Sequence, residues 1–235
     1  MLLDSPLESQ RFNIKAGKLK ISTKNELKVD LAAAKEKGFN FLSCRIPTQE
    51  VFLFQDLESA GFFLTDTLVY YKKTVPDEKL TQAWESCLGN NQHIEKVVAV
   101  AREAFQGYPS HYSMDLKLNQ DSAGEVYQDW AHRSCRDKTI ATDVLATFEG
   151  GQLVAFVSVK DQMSHGEVLL AAVHPAYQGQ GLLQKLLQAG LAWAQTQGHK
   201  EMFYSTQLQN IAAQKALVRQ GWELSHSFYT LHCWL

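Results

Sequence analysis

The segment richest in chemistry is Val173-His174-Pro175-Ala176-Tyr177-Gln178-Gly179-Gln180-Gly181-Leu182-Leu183, set between an apolar stretch and an amphipathic one. Two glycines two residues apart can take positive φ and let a ligand come close to the backbone. The residues after them open a helix, whose first N–H groups have no intrahelical acceptor and lie at the positive end of the helix dipole. Glycine freedom beside unpaired amides meets the requirement of a pyrophosphate site. A P-loop would need GxxxxGK followed by Ser or Thr, which is missing here. A dinucleotide fold would need a third glycine and a parallel βαβ setting, whereas antiparallel strands are predicted upstream. On the motif alone, a plain strand-to-helix turn remains an alternative.

The elements that must hold this loop show in the surrounding pattern. Residues 139–148, the turn Glu149-Gly150-Gly151 and residues 152–160 make a hairpin signature, and 166–173 a third strand. Residues 181–196 place Leu183, Leu186, Leu187, Leu191 and Ala194 on one side of a helix that stops at Gly198. A strand at 201–206, a helix at 210–219 ending at Gly221, and an alternating strand at 222–234 follow. Upstream, 93–106 reads as a helix with Ile94, Val97, Val98, Ala101 and Phe105 on one face, 107–123 as a loop rich in His, Tyr, Ser and Asp, and 124–136 as a helix. Nearer the N-terminus the pattern is helix 27–37, strand 39–46, helix 49–60 and strand 62–72, with 5–22 polar and irregular and Ile14, Leu19 and Ile21 as weak-strand candidates. The polar stretch 74–92, with Pro76, Gly89, Asn90 and Asn91, is the natural boundary. The expected organisation is a small α/β unit over 1–75, a linker over 76–92 and a larger unit over 93–235.

Composition narrows the function classes. At about 150 residues per domain, 235 residues correspond to roughly 1.6 domains. With 23 Lys+Arg against 25 Asp+Glu the net charge is −2, which argues against a dedicated nucleic-acid binder. No apolar run reaches 18 residues, so no membrane span is expected. The start, MLLDSPLESQRF, has no basic and apolar signal pattern, so a cytoplasmic protein is expected. Cys44, Cys87, Cys135 and Cys233 have no CxxC or zinc-ligand spacing; reduced thiols and no metal are expected.

The order strand–strand–strand, Gln178-Gly179-Gln180-Gly181, helix–strand–helix–strand resembles the GNAT superfamily of acyl-CoA-dependent N-acetyltransferases. Their signature is R/Q-x-x-G-x-G/A. Its first four positions match Gln178 to Gly181; Leu183 departs where Gly or Ala is usual, without removing a backbone donor. The Ala-Val-His-Pro lead-in, Asn210, Ala213 and Gly221-Trp222 also fit, so the resemblance covers about 93–235. It implies an α/β (α+β) fold, a mixed central sheet flanked by helices, and acetyl-CoA as cofactor. The amides of Gln178, Gly179, Gln180, Gly181, Leu182 and Leu183 would bind the CoA pyrophosphate. The backbone of Ala171 and Val173 would hold the pantetheine on a strand splayed from 201–206, the Val173 N–H would polarise the thioester carbonyl, and Asn210, with Ala213 beside it, would bond the pantetheine arm. A small-molecule amine would attack the thioester directly. The Tyr that often protonates the thiolate is replaced by Leu217, so another group (Tyr229 or Tyr204 on neighbouring predicted strands), a water, or no acid at all would serve the leaving thiolate, while Glu167 stands where some relatives keep a base.

Within the superfamily the chain looks most like the dTDP-fucosamine acetyltransferase group, which acetylates a dTDP-linked 4-amino-4,6-dideoxygalactose. Gly61-Phe62, Ala104-Phe105, the aromatic loop, Thr206-Gln207, Ala212-Ala213 and Lys215 carry that likeness across almost the whole chain. It implies an acceptor side formed by Ser110, His111, Tyr112, Asp115, Tyr127 and Trp130. The Leu217 departure leaves other readings open: another small amine, a protein amine, or a degenerate GNAT-fold binding module. Residues 227–234 would either pair across a homodimer or close the sheet.

The chain also echoes itself. Shifted by 160 residues, Gly38 falls on Gly198, Gly61 on Gly221, Leu57 on Leu217 and Phe62 on Trp222. Residues 25–73 thus read as a partial copy of the C-terminal half without the glycine loop.

Overall fold

The computed structural model describes residues 1–82 and 84–235. One ten-stranded sheet runs through it in the order β1-β2-β3-β10-β4-β9-β8-β7-β6-β5. The strands are β1 (Leu2–Asp4), β2 (Ala16–Leu19), β3 (Phe41–Pro47), β4 (Phe63–Thr74), β5 (Glu85–Ser86), β6 (Asp143–Glu149), β7 (Gln152–Asp161), β8 (Gly166–Val173), β9 (Glu201–Gln207) and β10 (Glu223–Trp234). The helices are α1 (Pro6–Phe12), α2 (Lys24–Glu36), α3 (Val51–Ser59), α4 (Asn91–Ala104), α5 (Gln120–Arg136), α6 (Leu182–Thr196) and α7 (Ile211–Arg219). None of the described helices is long and apolar enough to cross a membrane.

Local chemistry sets the boundaries. Thr23 and Glu26 form a reciprocal capping box, so α2 begins three residues before its first apolar position. Asn119 accepts the Ser122 N–H and starts α5 four residues ahead of the pattern read from sequence. Residues 5–22, expected to be irregular with weak strands at Ile14, Leu19 or Ile21, carry α1, with Pro6 at its first position, and β2, which takes in Leu19; β1 precedes them. β7 is almost continuously apolar because it is covered on both faces. Leu186, Leu187 and Leu191 of α6 pack with Val154, Val157 and Val159 on one side, while Val97 and Ala101 of α4 pack with Leu153 and Phe156 on the other. All four cysteines are free and buried.

The N-terminal segment has no separate sheet. β10 lies between β3 and β4, antiparallel to both, and β4 in turn lies beside β9. Both edges of β10 are therefore occupied, and it is not available to pair across a dimer. The pairing carries the 160-residue echo. Tyr229 opposes Ile46, and Val69 opposes Thr206; adding or subtracting 160 turns either pair into the other. The same exchange converts all seven pairs of β10 with β3 into the seven pairs of β4 with β9. It also maps the β4–β10 ladder onto itself about the pair Phe228–Leu68, including its two register shifts. The centre of the sheet thus has approximate two-fold symmetry in sequence and in hydrogen bonding.

Candidate active site

β8 and β9 are parallel and paired only at Gly166–Met202, Glu167–Phe203 and Val168–Tyr204. Beyond that point the strands continue to Val173 and Gln207 without pairing, so the sheet opens between them. The opening begins at a bulge: Ser158 opposes Leu170 and Val159 opposes Val168, leaving Leu169 without a partner on β7. His174 donates its N–H to the Val154 carbonyl at 2.9 Å. Antiparallel pairs alternate between bonded and non-bonded, so Ala172 and Leu170 also bond to β7. The N–H and C=O groups of Ala171 and Val173 therefore point away from β7, into the opening. The Val173 carbonyl already accepts from Gln178 Nε2 at 3.4 Å.

The glycine loop closes the head of this opening. Gly179 and Gly181 have φ of +77° and +76°, and Gly181 is the N-cap of α6. A Cβ at either position would meet no protein atom within 4 Å. The cradle is thus bounded by backbone amides with space in front of them, as a pyrophosphate requires. Gln178, Gly179, Gly181, Leu182 and Leu183 line the cleft; Gln180 lies outside its wall.

One cleft of about 1570 Å³ runs from this loop to the N-terminal segment. At its middle, Asn210 caps α7 through Oδ1, which accepts the Ala213 N–H at 3.2 Å. Its Nδ2 donates to Thr206 Oγ1 at 3.0 Å and to the Tyr108 hydroxyl at 3.1 Å. Both amide donors are committed within the protein, so the side chain expected to bond the pantetheine arm has no free N–H, and Tyr108 in turn donates to Gln207 Oε1. Replacing Asn210 by Ala removes the cap and both donors. We expect a loss of about 1 kcal/mol, read by urea unfolding.

At the far end His111, Tyr112, Tyr127 and Trp130 face the cleft with Glu8, Lys18 and Arg45. Tyr127 stacks on Phe105 at 4.4 Å, so it serves core and cleft together. Tyr112 donates to Glu8 Oε1 at 2.7 Å, and Lys18 lies 3.2 Å from the same oxygen. Behind His111 runs a polar chain. Asp115 Oδ2 accepts from His232 Nδ1 at 2.9 Å and from Trp234 Nε1 at 3.0 Å. His111 Nδ1 lies 2.9 Å from His232 Nε2. Because a carboxylate only accepts, the neutral chain runs His111 Nδ1–H to His232 to Asp115, leaving His111 Nε2 as an acceptor. Burial, together with the nearby His232, Arg45 and Lys18, holds the His111 pKa well below the usual histidine range. Burial pushes Asp115 up, but the hydrogen bonds from His232, Trp234 and the Lys117 N–H outweigh it and leave this carboxyl below its ordinary value.

Several sequence expectations are corrected by this arrangement. Tyr229 is on the opposite face of β10: Phe228 and Thr230 line the cleft, while Tyr229 packs on Phe54 at 4.8 Å. Strand alternation turns it away from the cleft. Ser110 and Asp115 do not line the cleft. Ser110 is engaged with Ser113 in a turn, and Asp115 anchors the histidine chain. Leu217 is fully buried on the inward face of α7. Glu167 sits where β8 and β9 are still paired, at the cleft rim, accepting from Gln162 Nε2 at 2.6 Å. Tyr108, Arg45 and Asp66 line the cleft without having been singled out from sequence; for Tyr108 the available signal was its place in the aromatic loop.

The sequence pattern of the acetyltransferase (GNAT) family matches residues 94–222, more than half of the chain. Spore coat polysaccharide biosynthesis protein SpsD of Bacillus subtilis (strain 168) is 26% identical over 140 residues, covering 60% of this chain and 47% of that protein. The match therefore spans about half the length of that curated relative. Two solved structures share the fold. A functionally unknown conserved protein from Staphylococcus epidermidis ATCC 12228 superposes with a TM-score of 0.66 at 16% identity, covering 97% of this chain and 88% of that one. A GCN5-related N-acetyltransferase from Sphaerobacter thermophilus gives 0.63 at 12%, covering 94% and 73%.

Proposed function

The chain belongs to the acetyltransferase (GNAT) family, and from that premise we propose that it transfers acetyl from acetyl-CoA to the amine of a nucleotide-linked amino sugar, with a dTDP-linked amino-dideoxy sugar as the leading acceptor. The observation that carries this reading is one continuous cleft with two differently built ends. One end offers the amides of Gly179, Gly181, Leu182 and Leu183 for a pyrophosphate, the Gln178 N–H being taken by the Pro175 carbonyl. The other offers Lys18 and Arg45 beside Tyr127 and Trp130, a set suited to a second diphosphate and a flat base. Similarity to a protein named for polysaccharide biosynthesis supports a sugar acceptor.

In this reading the free backbone edge at Ala171 and Val173 holds the pantetheine, and the Val173 N–H stabilises the developing oxyanion. The acceptor amine attacks the thioester carbon directly, so no enzyme nucleophile is required. Tyr108, held between Gln207 and Asn210, takes the place of the missing tyrosine at Leu217 as the thiolate's proton donor. Burial raises its pKa and keeps the phenol protonated. We read residues 1–75 as a small unit in which 25–73 are a partial copy of the C-terminal half, and 76–92 as the connection, the shared register of β4–β9 and β3–β10 being the support.

The test combines acetyl-CoA binding by calorimetry with CoA release in the presence of dTDP- and UDP-linked amino sugars, a polyamine and a lysine peptide. Binding, with fastest release on a dTDP-amino sugar, is expected. Preference for the polyamine or peptide would overturn the sugar assignment, and absence of acetyl-CoA binding would overturn the transfer itself.

A further inference from the structure

β4 brings one more group into the cleft. Asp66 lies opposite Thr230 on β10, where β4 passes the end of β9. It lines the cleft yet is only 5% exposed, and its Oδ2 is buried without a hydrogen-bond partner in the protein. The groups around it are Arg45 on β3, Tyr108 in the loop after α4, Tyr127 on α5 and Gln207 on β9. Two are phenols, one is an amide, and only Arg45 carries charge. Burial raises the Asp66 pKa to about 6, against the lowering effects of the Thr67 N–H, the Arg45 charge and the Gln207 side chain. A buried anion with an open oxygen is costly to retain, and the partner that would complete it is a cation with N–H donors.

We propose that Asp66, supplied by the N-terminal segment, binds the acceptor's ammonium and takes its proton. This rests on the acetyltransferase reading above and specifies the acceptor chemistry. Asp66 with Arg45, and Glu8 with Lys18, give this end of the cleft two carboxylates and two cations, and of the two carboxylates only Asp66 keeps an unpartnered oxygen. An amino sugar linked to a diphosphate presents the opposite charges, an ammonium on one side of the ring and the diphosphate on the other. The proton balance closes. One ammonium proton passes to the Asp66 carboxylate and leaves the amine lone pair free. That pair forms the C–N bond as the C–S bond breaks. Tyr108 gives its phenolic proton to the thiolate to form CoASH, a second nitrogen proton restores Tyr108, the third stays on the amide, and Asp66 returns its proton to solvent. Glu167 is less suited, being at the rim and already bonded to Gln162.

The experiment compares wild type with Asp66→Asn and Asp66→Glu. Acetyl-CoA affinity by calorimetry reports an intact cleft and should be unchanged in both. We expect Asp66→Asn to lose at least 100-fold in kcat/KM with dTDP-4-amino-4,6-dideoxygalactose and at least tenfold in its affinity, while dTDP alone binds as before. Asp66→Glu should recover part of the rate with a displaced pH profile. A second readout needs no acceptor. The buried carboxylate disfavours folding above pH 6 and is relieved on protonation, so Asp66→Asn should melt above wild type at pH 8, with the gap closing as pH falls from 6 toward 4. Unchanged transfer and amine binding in Asp66→Asn would overturn this inference alone. A wild-type protein that binds acetyl-CoA but none of the amines would overturn it together with the acceptor assignment.

Discussion

The double variant Gly179→Asp/Gly181→Asp should lose at least 100-fold in acetyl-CoA affinity, about 2.7 kcal/mol of binding. Two effects act in the same direction. Both glycines hold φ near +77°, where an L-residue costs roughly 1–2 kcal/mol, so the loop would relax away from the geometry that aims its amides. Two carboxylates would also stand where the pyrophosphate must sit, replacing attraction to the α6 N-terminus by repulsion. Folding should survive, because neither new Cβ meets a protein atom within 4 Å. The variant Gly179→Ala/Gly181→Ala separates the effects, carrying the strain without the charge, and should lie between wild type and the aspartates. Calorimetry reads all three; equal affinities would refute the loop assignment.

What was legible in the sequence follows from how locally each feature is determined. The glycine loop depends on its own residues and the helix start next to it, so it could be read directly. α7 and β10 were read to within a residue because their apolar periods and glycine stops are local. α2 and α5 begin earlier than their apolar faces because Thr23 and Asn119 are polar caps that contribute nothing to periodicity. β1 and β2 are only three and four residues long and owe their existence to partners far along the chain, β2 pairing with β3. Tyr229 was misassigned because β10 has apolar residues on both faces in its C-terminal half, which hides the phase of the alternation. Arg45, Asp66 and Tyr108 meet only through the insertion of β10 between β3 and β4. No local pattern encodes that meeting, although the 160-residue echo carried the symmetry that produces it. The segment that appeared to be an accessory unit supplies the strand next to β9, and with it one wall of the cleft.

Asp115→Ala should destabilise the protein by about 3–5 kcal/mol at pH 7, the cost of removing one member of a buried charged network. His232 is fully buried, and its Nδ1 and the Trp234 Nε1 both depend on Asp115 Oδ2. The Lys117 N–H loses its acceptor as well. Asp115→Asn keeps an acceptor oxygen and should cost about half as much. The pH dependence fixes the mechanism. The folded-state pKa of Asp115 lies below the ordinary aspartate value of about 3.9, so the folded protein binds this proton less readily than the unfolded chain. Its stabilisation is therefore fully present above about pH 4 and is lost as pH falls through the folded-state value. Wild type should lose stability steeply below pH 4, and Asp115→Ala should show a shallower slope there; parallel slopes in urea titrations would refute a charged Asp115. The same chain sets the hydrogen-bonding sense of His111, with Nδ1 donating inward and Nε2 open to the acceptor end. Asp115→Asn should therefore weaken acceptor binding while leaving acetyl-CoA affinity intact, because the glycine loop and the open edge of β8 do not touch this network.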